Sequence, residues 1–175
     1  MSITIHFFRN RSLERIDYEK LIDYFDSMET CHINYYEDVV EMVYTDPVFD
    51  FPYRFLITKR SQVKSIYNLN VDYFNINLLV EIPILLPSYV TRCVLAFIMD
   101  VCKTFELEIY YEGIKNIEPF DMTGLMMFME KEKILVSACF IHQGYKYNGG
   151  ANINERVLAL KEKYVKHFFA LFKRF

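Results

Sequence analysis

The stretch VEIPILLPSYVTRCVLAFIMDVCKTFELEIYYEG, residues 80–113, gives the clearest indication of the fold. It reads as a buried strand, a turn at Pro87, a helix and a second strand that ends at Gly113. Apolar residues recur every three or four positions in the helix and form a face wide enough to lie on a sheet. The unit predicts a right-handed βαβ crossover with parallel strands around residues 76–112, and Ser88 stands where a helix N-cap is needed.

Segments on both sides of this unit carry periodic patterns of their own. SITIHFF (2–8) alternates apolar and polar residues, which predicts a half-buried strand. IDYEKLIDYF (16–25) has helical spacing, with Asp17 as its N-cap. MTGLMMFMEKEK (122–133) predicts another helix with an apolar, methionine-rich face, and residues 134–142 fit either a strand or its continuation.

The middle of the chain reads as a series of strands. CHINYY (31–36) and VVEMVY (39–44) are strand candidates, and residues 74–86 give the strongest strand pattern. DPVFDFPY (46–53) contains two prolines and predicts a connection, because proline removes a ladder donor.

The element order predicts an α+β fold in which one domain spans residues 1–175. We expect a two-layer sandwich with a mixed β-sheet that contains one βαβ unit, ferredoxin-like or related, and is covered by helices. Residues 143–152 (QGYKYNGGAN) predict a flexible loop, and residues 153–175 a C-terminal amphipathic helix.

Composition limits the classes of function. The chain is 53% hydrophobic and 25% charged, which predicts a folded protein. A net charge of −3 gives no basic surface for phosphates, so no nucleic-acid partner is expected. The longest near-apolar run, VLAFIM (94–99), is too short to span a bilayer, so no transmembrane segment is expected. Four cysteines without a disulfide framework and no signal peptide predict reduced thiols in the cytoplasm.

The sequence contains no motif that gathers catalytic or metal-binding groups. The closest local pair, Cys139 and His142, supplies two metal ligands at most, and the sequence has no second pair that would complete a site. No serine or cysteine lies in a known nucleophile motif. We therefore expect no metal ion and no cofactor, and the pattern favours a non-enzymatic protein over an enzyme.

The first functional hypothesis is association, with another protein or with a second copy. Aromatic residues make up 17% of the chain, and large rings dominate contact energetics. In the predicted C-terminal helix basic residues lie between the apolar ones, which also suits a membrane surface, although packing on the sheet is favoured and peripheral membrane contact is not expected. The aromatic residues proposed for association are Tyr164, Phe168, Phe169, Phe172 and Phe175.

The alternative is a small-molecule-binding protein or enzyme with an aromatic-lined pocket between the sheet and the helix 88–105. Glu81 is a candidate site residue because a carboxylate in a strongly apolar strand needs a partner or water. Arg54, Lys59 and Arg92 are candidate partners by chain position. The predicted polar points of the pocket are Tyr53, Arg54, Tyr73, Glu81, Tyr110 and Tyr111.

Overall fold

A computed structural model describes residues 2–63 and 70–142, without the side chains of residues 137–142. It contains helices and one sheet, which confirms the α+β class. In chain order the elements of this part are β1 (Ser2–Asn10), α1 (Tyr18–Asp26), β2 (Cys31–Tyr35), β3 (Val39–Asp46), β4 (Phe51–Thr58), β5 (Tyr73–Pro83), α2 (Ser88–Phe105), β6 (Leu107–Tyr110) and α3 (Met122–His142).

Two predicted segments lie outside the described residues. They are the loop 143–152 and the helix 153–175. The five aromatic residues proposed for association, Tyr164 to Phe175, fall in the second of them.

The sheet order is β2-β3-β4-β5-β1-β6, and every pair of neighbours is antiparallel. The predicted mixed sheet is therefore wrong. β5 and β6 do run in the same direction and α2 connects them, but β1 lies between them and pairs with both. A periodic pattern identifies the crossover helix, yet it carries no information on which strand fills the gap between the two crossover strands.

The helix starts confirm one predicted cap and correct another. Asp17 Oδ1 accepts backbone hydrogen bonds from Glu19 (3.0 Å) and Lys20 (3.4 Å), as predicted for α1. Ser88 is not the N-cap of α2, because Pro87 occupies that position and the helix has no side-chain cap. The Ser88 hydroxyl instead donates to Glu130 Oε1 on α3 at 2.5 Å.

The structure also decides two predictions about where α3 ends and where β4 begins. Residues 134–142 continue α3 rather than forming a strand. The predicted connection 46–53 is too long, since β3 ends at Asp46 and β4 already begins at Phe51. The turn is short because Asp46 Oδ1 accepts from the backbone N–H groups of Val48 and Phe49, both at 2.9 Å.

α1 and α2 contact the same sheet face, which forms the core. Phe55 of β4 lies beneath both helices, 4.9 Å from the ring of Phe25 on α1 and 5.8 Å from that of Phe97 on α2. Phe97 also stacks on Tyr44 at 4.0 Å. Ring pairs at these distances add to the free energy of burial. The core row across the strands consists of Ile5, Val80, Phe55 and Met42, all fully buried.

Candidate functional site

The sheet face turned away from α1 and α2, here called the outer face, carries a groove of about 720 Å³. Strand alternation places every second residue there, and α3 supplies Phe128 and Glu132 at its side. The volume lies in the range of small-molecule sites. The outer-face strand residues that line the groove include Thr4, His6, Leu56, Leu79, Glu81 and Tyr110.

Arg54 joins two carboxylates on the outer face. Its Nη2 lies 3.6 Å from Glu81 Oε2, and its Nη1 lies 3.2 Å from Glu41 Oε1. Of the three partners proposed for Glu81, Arg54 is thus the one in contact. Glu41 is the more enclosed carboxylate and also accepts from Asn34 Nδ2 at 3.1 Å. Because Arg54 is half exposed, water screens both pairs.

His6 is a partly buried titratable residue that lines the groove. Burial lowers the pKa of its imidazole, and the nearby Glu112 carboxylate opposes that shift in part. The ring is therefore neutral at pH 7, with one nitrogen to donate and one to accept. The Tyr110 ring lies 6.5 Å away on β6. Together with Glu81, these groups could orient a polar ligand.

The structure divides the six predicted pocket residues between the two sides of the sheet. Tyr53 and Tyr111 are buried in the core cluster. Arg54, Glu81 and Tyr110 belong to the outer face. Tyr73 is the first residue of β5, opposite Asn10 and far along the strand from Glu81. The six residues are therefore not brought around one cavity.

Aromatic rings occupy the space where the pocket was predicted, between the sheet and α2. The Tyr53 ring lies 6.0 Å from Phe97 of α2 and 5.2 Å from Tyr44. The Tyr53 hydroxyl is buried without a hydrogen-bond partner among the described residues, and burial raises its pKa. The Tyr53 ring thus packs in the core, and Tyr53 also lines a smaller groove together with Arg54 and Glu81.

The free cysteines Cys31, Cys93 and Cys102 are not activated as nucleophiles. Burial raises the pKa of Cys31 to about 11 and that of Cys102 to about 12, and it also raises the pKa of Cys93. Each thiol is therefore protonated at neutral pH. Within residues 2–63 and 70–142 no group of three or more His, Cys, Asp or Glu side chains could hold a metal ion. Nor does any helix of this part have the length and apolar character needed to cross a membrane.

α3 has two apolar faces on opposite sides. Leu125 and Met129 are buried against the core. At 100° per residue, Met127 and Ile134 project about 180° away from them, and these two side chains are 70% and 68% exposed. Leu135 lies beside them at 49%. We call Met127, Ile134 and Leu135 the outward patch of α3.

The sequence pattern predicts only one apolar face for this helix. The signal for the second was present, since apolar residues occur at all angles around the helix, and such a helix is normally buried on every side. Comparison with protein-family models, with curated proteins and with solved structures gives no match for this chain.

Proposed function

We propose that the protein acts through association, with another protein or with a second copy of itself, as a non-enzymatic component. The observation that carries this proposal is the outward patch of α3. These three large apolar side chains are 70%, 68% and 49% exposed, although a helix with this composition normally has both faces covered.

The energetics favour covering the patch. Full burial of one Met, Ile or Leu side chain contributes roughly 1.5–3 kcal/mol. The three side chains span about two turns of the helix. They can act as apolar anchors of an interface, where a few such anchors supply much of the binding energy. The exposed Lys131 lies between Met127 and Ile134 on this side of the helix, so a partner would have to leave its ammonium group hydrated or pair it with a carboxylate.

Sedimentation velocity over a range of concentrations tests association with a second copy. We expect an assembly that Ile134→Glu dissociates, because the new carboxylate would have to be desolvated. Val71→Glu, at a 77% exposed apolar position in the turn before β5, is the matched control and leaves the assembly intact.

Photo-crosslinking in cells tests association with another protein. A benzophenone side chain at position 127 should give one discrete adduct, and the same group at the exposed position 71 should not. A wild-type monomer at all concentrations, together with no adduct at position 127, would contradict the proposal.

A second candidate function is small-molecule binding in the groove on the outer face. It is favoured by the neutral His6 imidazole beside Glu81, Glu112 and Tyr110 in a cavity of suitable volume. This places the ligand on the opposite side of the sheet from the pocket predicted beside α2. A metabolite panel should contain a compound that raises the melting temperature of the wild type but not of His6→Phe. A panel without any such compound would contradict this candidate.

We also infer that residues 1–175 form one domain with a ferredoxin-like, two-layer core. The support is the order β4-β5-β1-β6 with helices after β1 and β5, to which β2 and β3 add a hairpin at one edge. A single melting transition of the full chain tests the one-domain inference. The free thiols support a cytoplasmic setting, which alkylation and mass spectrometry of protein isolated from cells would test.

A further inference from the structure

The two edges of the sheet differ in how their backbone groups are satisfied. At the β6 edge, Ile109 and Glu118 exchange two backbone hydrogen bonds, with N···O distances of 2.9 and 3.1 Å. The chain that follows β6 thus turns back and covers this edge. β2 forms the opposite edge, and no strand of the described part lies beyond it.

The hairpin bond between Tyr36 N and Val39 O (2.9 Å) determines which residues of β2 face outward. Hydrogen-bonded pairs alternate in an antiparallel ladder, so the even-numbered residues of β2 bond to β3. Ile33 and Tyr35 therefore direct both their N–H and their C=O groups away from the sheet. None of these four groups has a partner within residues 2–63 and 70–142.

β2 also lacks the usual protection of an edge strand. Its sequence, CHINY (31–35), contains no Lys, Arg or Pro, and its ladder with β3 has no bulge. Natural proteins use such features to keep other chains from pairing with an edge. The rings of Tyr35 and Tyr36 are 68% and 62% exposed beside it.

Exposed carboxylates flank this edge at both ends. Asp26 and Glu29 precede β2, and Glu37 and Asp38 follow it. Lys59 contacts Asp38 at 3.1 Å and offsets one of the four charges. The edge therefore presents unpaired backbone groups between two negative ends.

This charge pattern disfavours a second copy as the partner of β2. Antiparallel pairing of two copies centred on Ile33 would place Glu29 of each beside Glu37 of the other. Like charges directly opposite each other destabilise a strand pair. Lys or Arg residues at the same positions of a partner strand would be attracted.

We propose that the β2 edge binds an extended segment of a partner protein by strand addition. The segment has about five residues of high β propensity, matching the length of β2, between flanking Lys or Arg residues. Backbone hydrogen bonds to Ile33 and Tyr35 supply affinity, and the flanking charges select the partner. This interaction does not depend on the outward patch of α3.

A synthetic peptide tests the proposal. The probe is Lys-Lys-Val-Thr-Val-Thr-Val-Lys-Lys, labelled for fluorescence anisotropy, and we expect a dissociation constant on the order of 100 µM or lower. Two matched peptides serve as controls, one with Glu in place of each Lys and one N-methylated at every residue of its Val-Thr-Val-Thr-Val core. Each control should bind at least tenfold more weakly, since the first reverses the charge and the second blocks the hydrogen bonds.

Two variants at one exposed position test the site. Tyr35→Pro removes an outward N–H without removing a bond to β3, and proline is tolerated on edge strands. Tyr35→Thr removes the same ring but keeps the N–H. We expect at least tenfold weaker binding for Tyr35→Pro and a smaller effect for Tyr35→Thr, with thermal unfolding confirming that both variants are folded.

Several outcomes would overturn the proposal. These are no binding of the peptide, equal binding of the N-methylated peptide, or an unchanged affinity in Tyr35→Pro. A dimer that Tyr35→Pro dissociates would identify a second copy as the occupant instead. Ile134→Glu should leave peptide binding unchanged, so a failure at β2 is distinguishable from a failure of the association proposed for α3.

Discussion

Arg9 of β1 donates from Nη1 to the backbone carbonyl of Phe105, the last residue of α2. The same guanidinium donates from Nε to the carbonyl of Glu14 at 2.7 Å, and its Nη2 lies 3.3 Å from Glu106 Oε2. A cation at the C-terminal end of a helix interacts favourably with the carbonyls that have no partner in the helix. One largely buried side chain thus links β1, the loop that follows it and the end of α2.

Replacement of Arg9 by alanine should destabilise the fold. Because hydrogen bonds from a charged donor each contribute about 1.5–3 kcal/mol, we expect Arg9→Ala to lower the free energy of unfolding by roughly 2–3 kcal/mol. Arg9→Lys should recover only part of the loss, since an ammonium group lacks the planar fork. Urea unfolding measures both. Arg92→Ala on α2, at an exposed position, should change stability by less than about 0.5 kcal/mol, and equal effects at the two sites would contradict the argument.

Gly113 allows the chain after β6 to pass close to α3. A Cβ at this position would lie 2.5 Å from Phe128 Cδ2 and 2.5 Å from Tyr111 Cε2. Gly113→Ala should therefore overpack the site and cost about 1–3 kcal/mol of stability. Phe128→Leu removes part of the clash, so the double variant should be less destabilised than the sum of the single ones. Additive values in chemical unfolding would show that the two residues do not interact.

Local signals predicted much of the fold. The Asp17 cap, the length of α2 and the alternation of β1 follow from residue type and spacing. The insertion of β1 between β5 and β6 does not, because strand order depends on contacts between distant segments. Nor does the irregularity at Asn77, which has a φ of 53° and lies where the pairing of β1 with β5 shifts. Asn77 interrupts the regular strand at this point. Ile76 and Leu78 on either side of it nevertheless both face the core.

The set of residues predicted for the pocket is inconsistent with strand alternation, and the sequence alone shows this. Tyr53 and Arg54 are consecutive in a strand, so their side chains point to opposite faces. The same holds for Tyr110 and Tyr111 at the end of β6. No single cavity on one side of the sheet could include all of these residues. Alternation also predicts the arrangement observed, with Tyr53 and Tyr111 in the core and Arg54 and Tyr110 on the outer face.

His6 should make stability depend on pH in the acid range. Burial holds the pKa of the folded-state imidazole below its ordinary value of 6.5, so the unfolded chain takes up a proton more readily. The contribution of His6 is therefore complete above about pH 6.5 and is lost as the pH falls through the lowered pKa. Unfolding free energies at about pH 7.5 and 5.5 should fall less in His6→Gln than in the wild type. Identical slopes in the two proteins would exclude His6 as a source of the dependence.

Cys102 should make the stability of the fold decrease as the pH rises in the alkaline range. Burial raises its pKa to about 12 from 9.0, so the unfolded chain releases the thiol proton first. Its stabilising contribution is present below pH 9 and declines as the pH rises toward 12, by at most about 1.4 kcal/mol per pH unit for one proton. Cys102→Val keeps an apolar side chain of similar size at the buried position and removes the titration. In urea unfolding at about pH 8, 9.5 and 10.5, the stability of Cys102→Val relative to the wild type should rise with each step. The buried tyrosines titrate in both proteins, so the difference in unfolding free energy between the two proteins isolates the effect of Cys102. A difference that does not change with pH would show that the thiol does not titrate more readily in the unfolded chain.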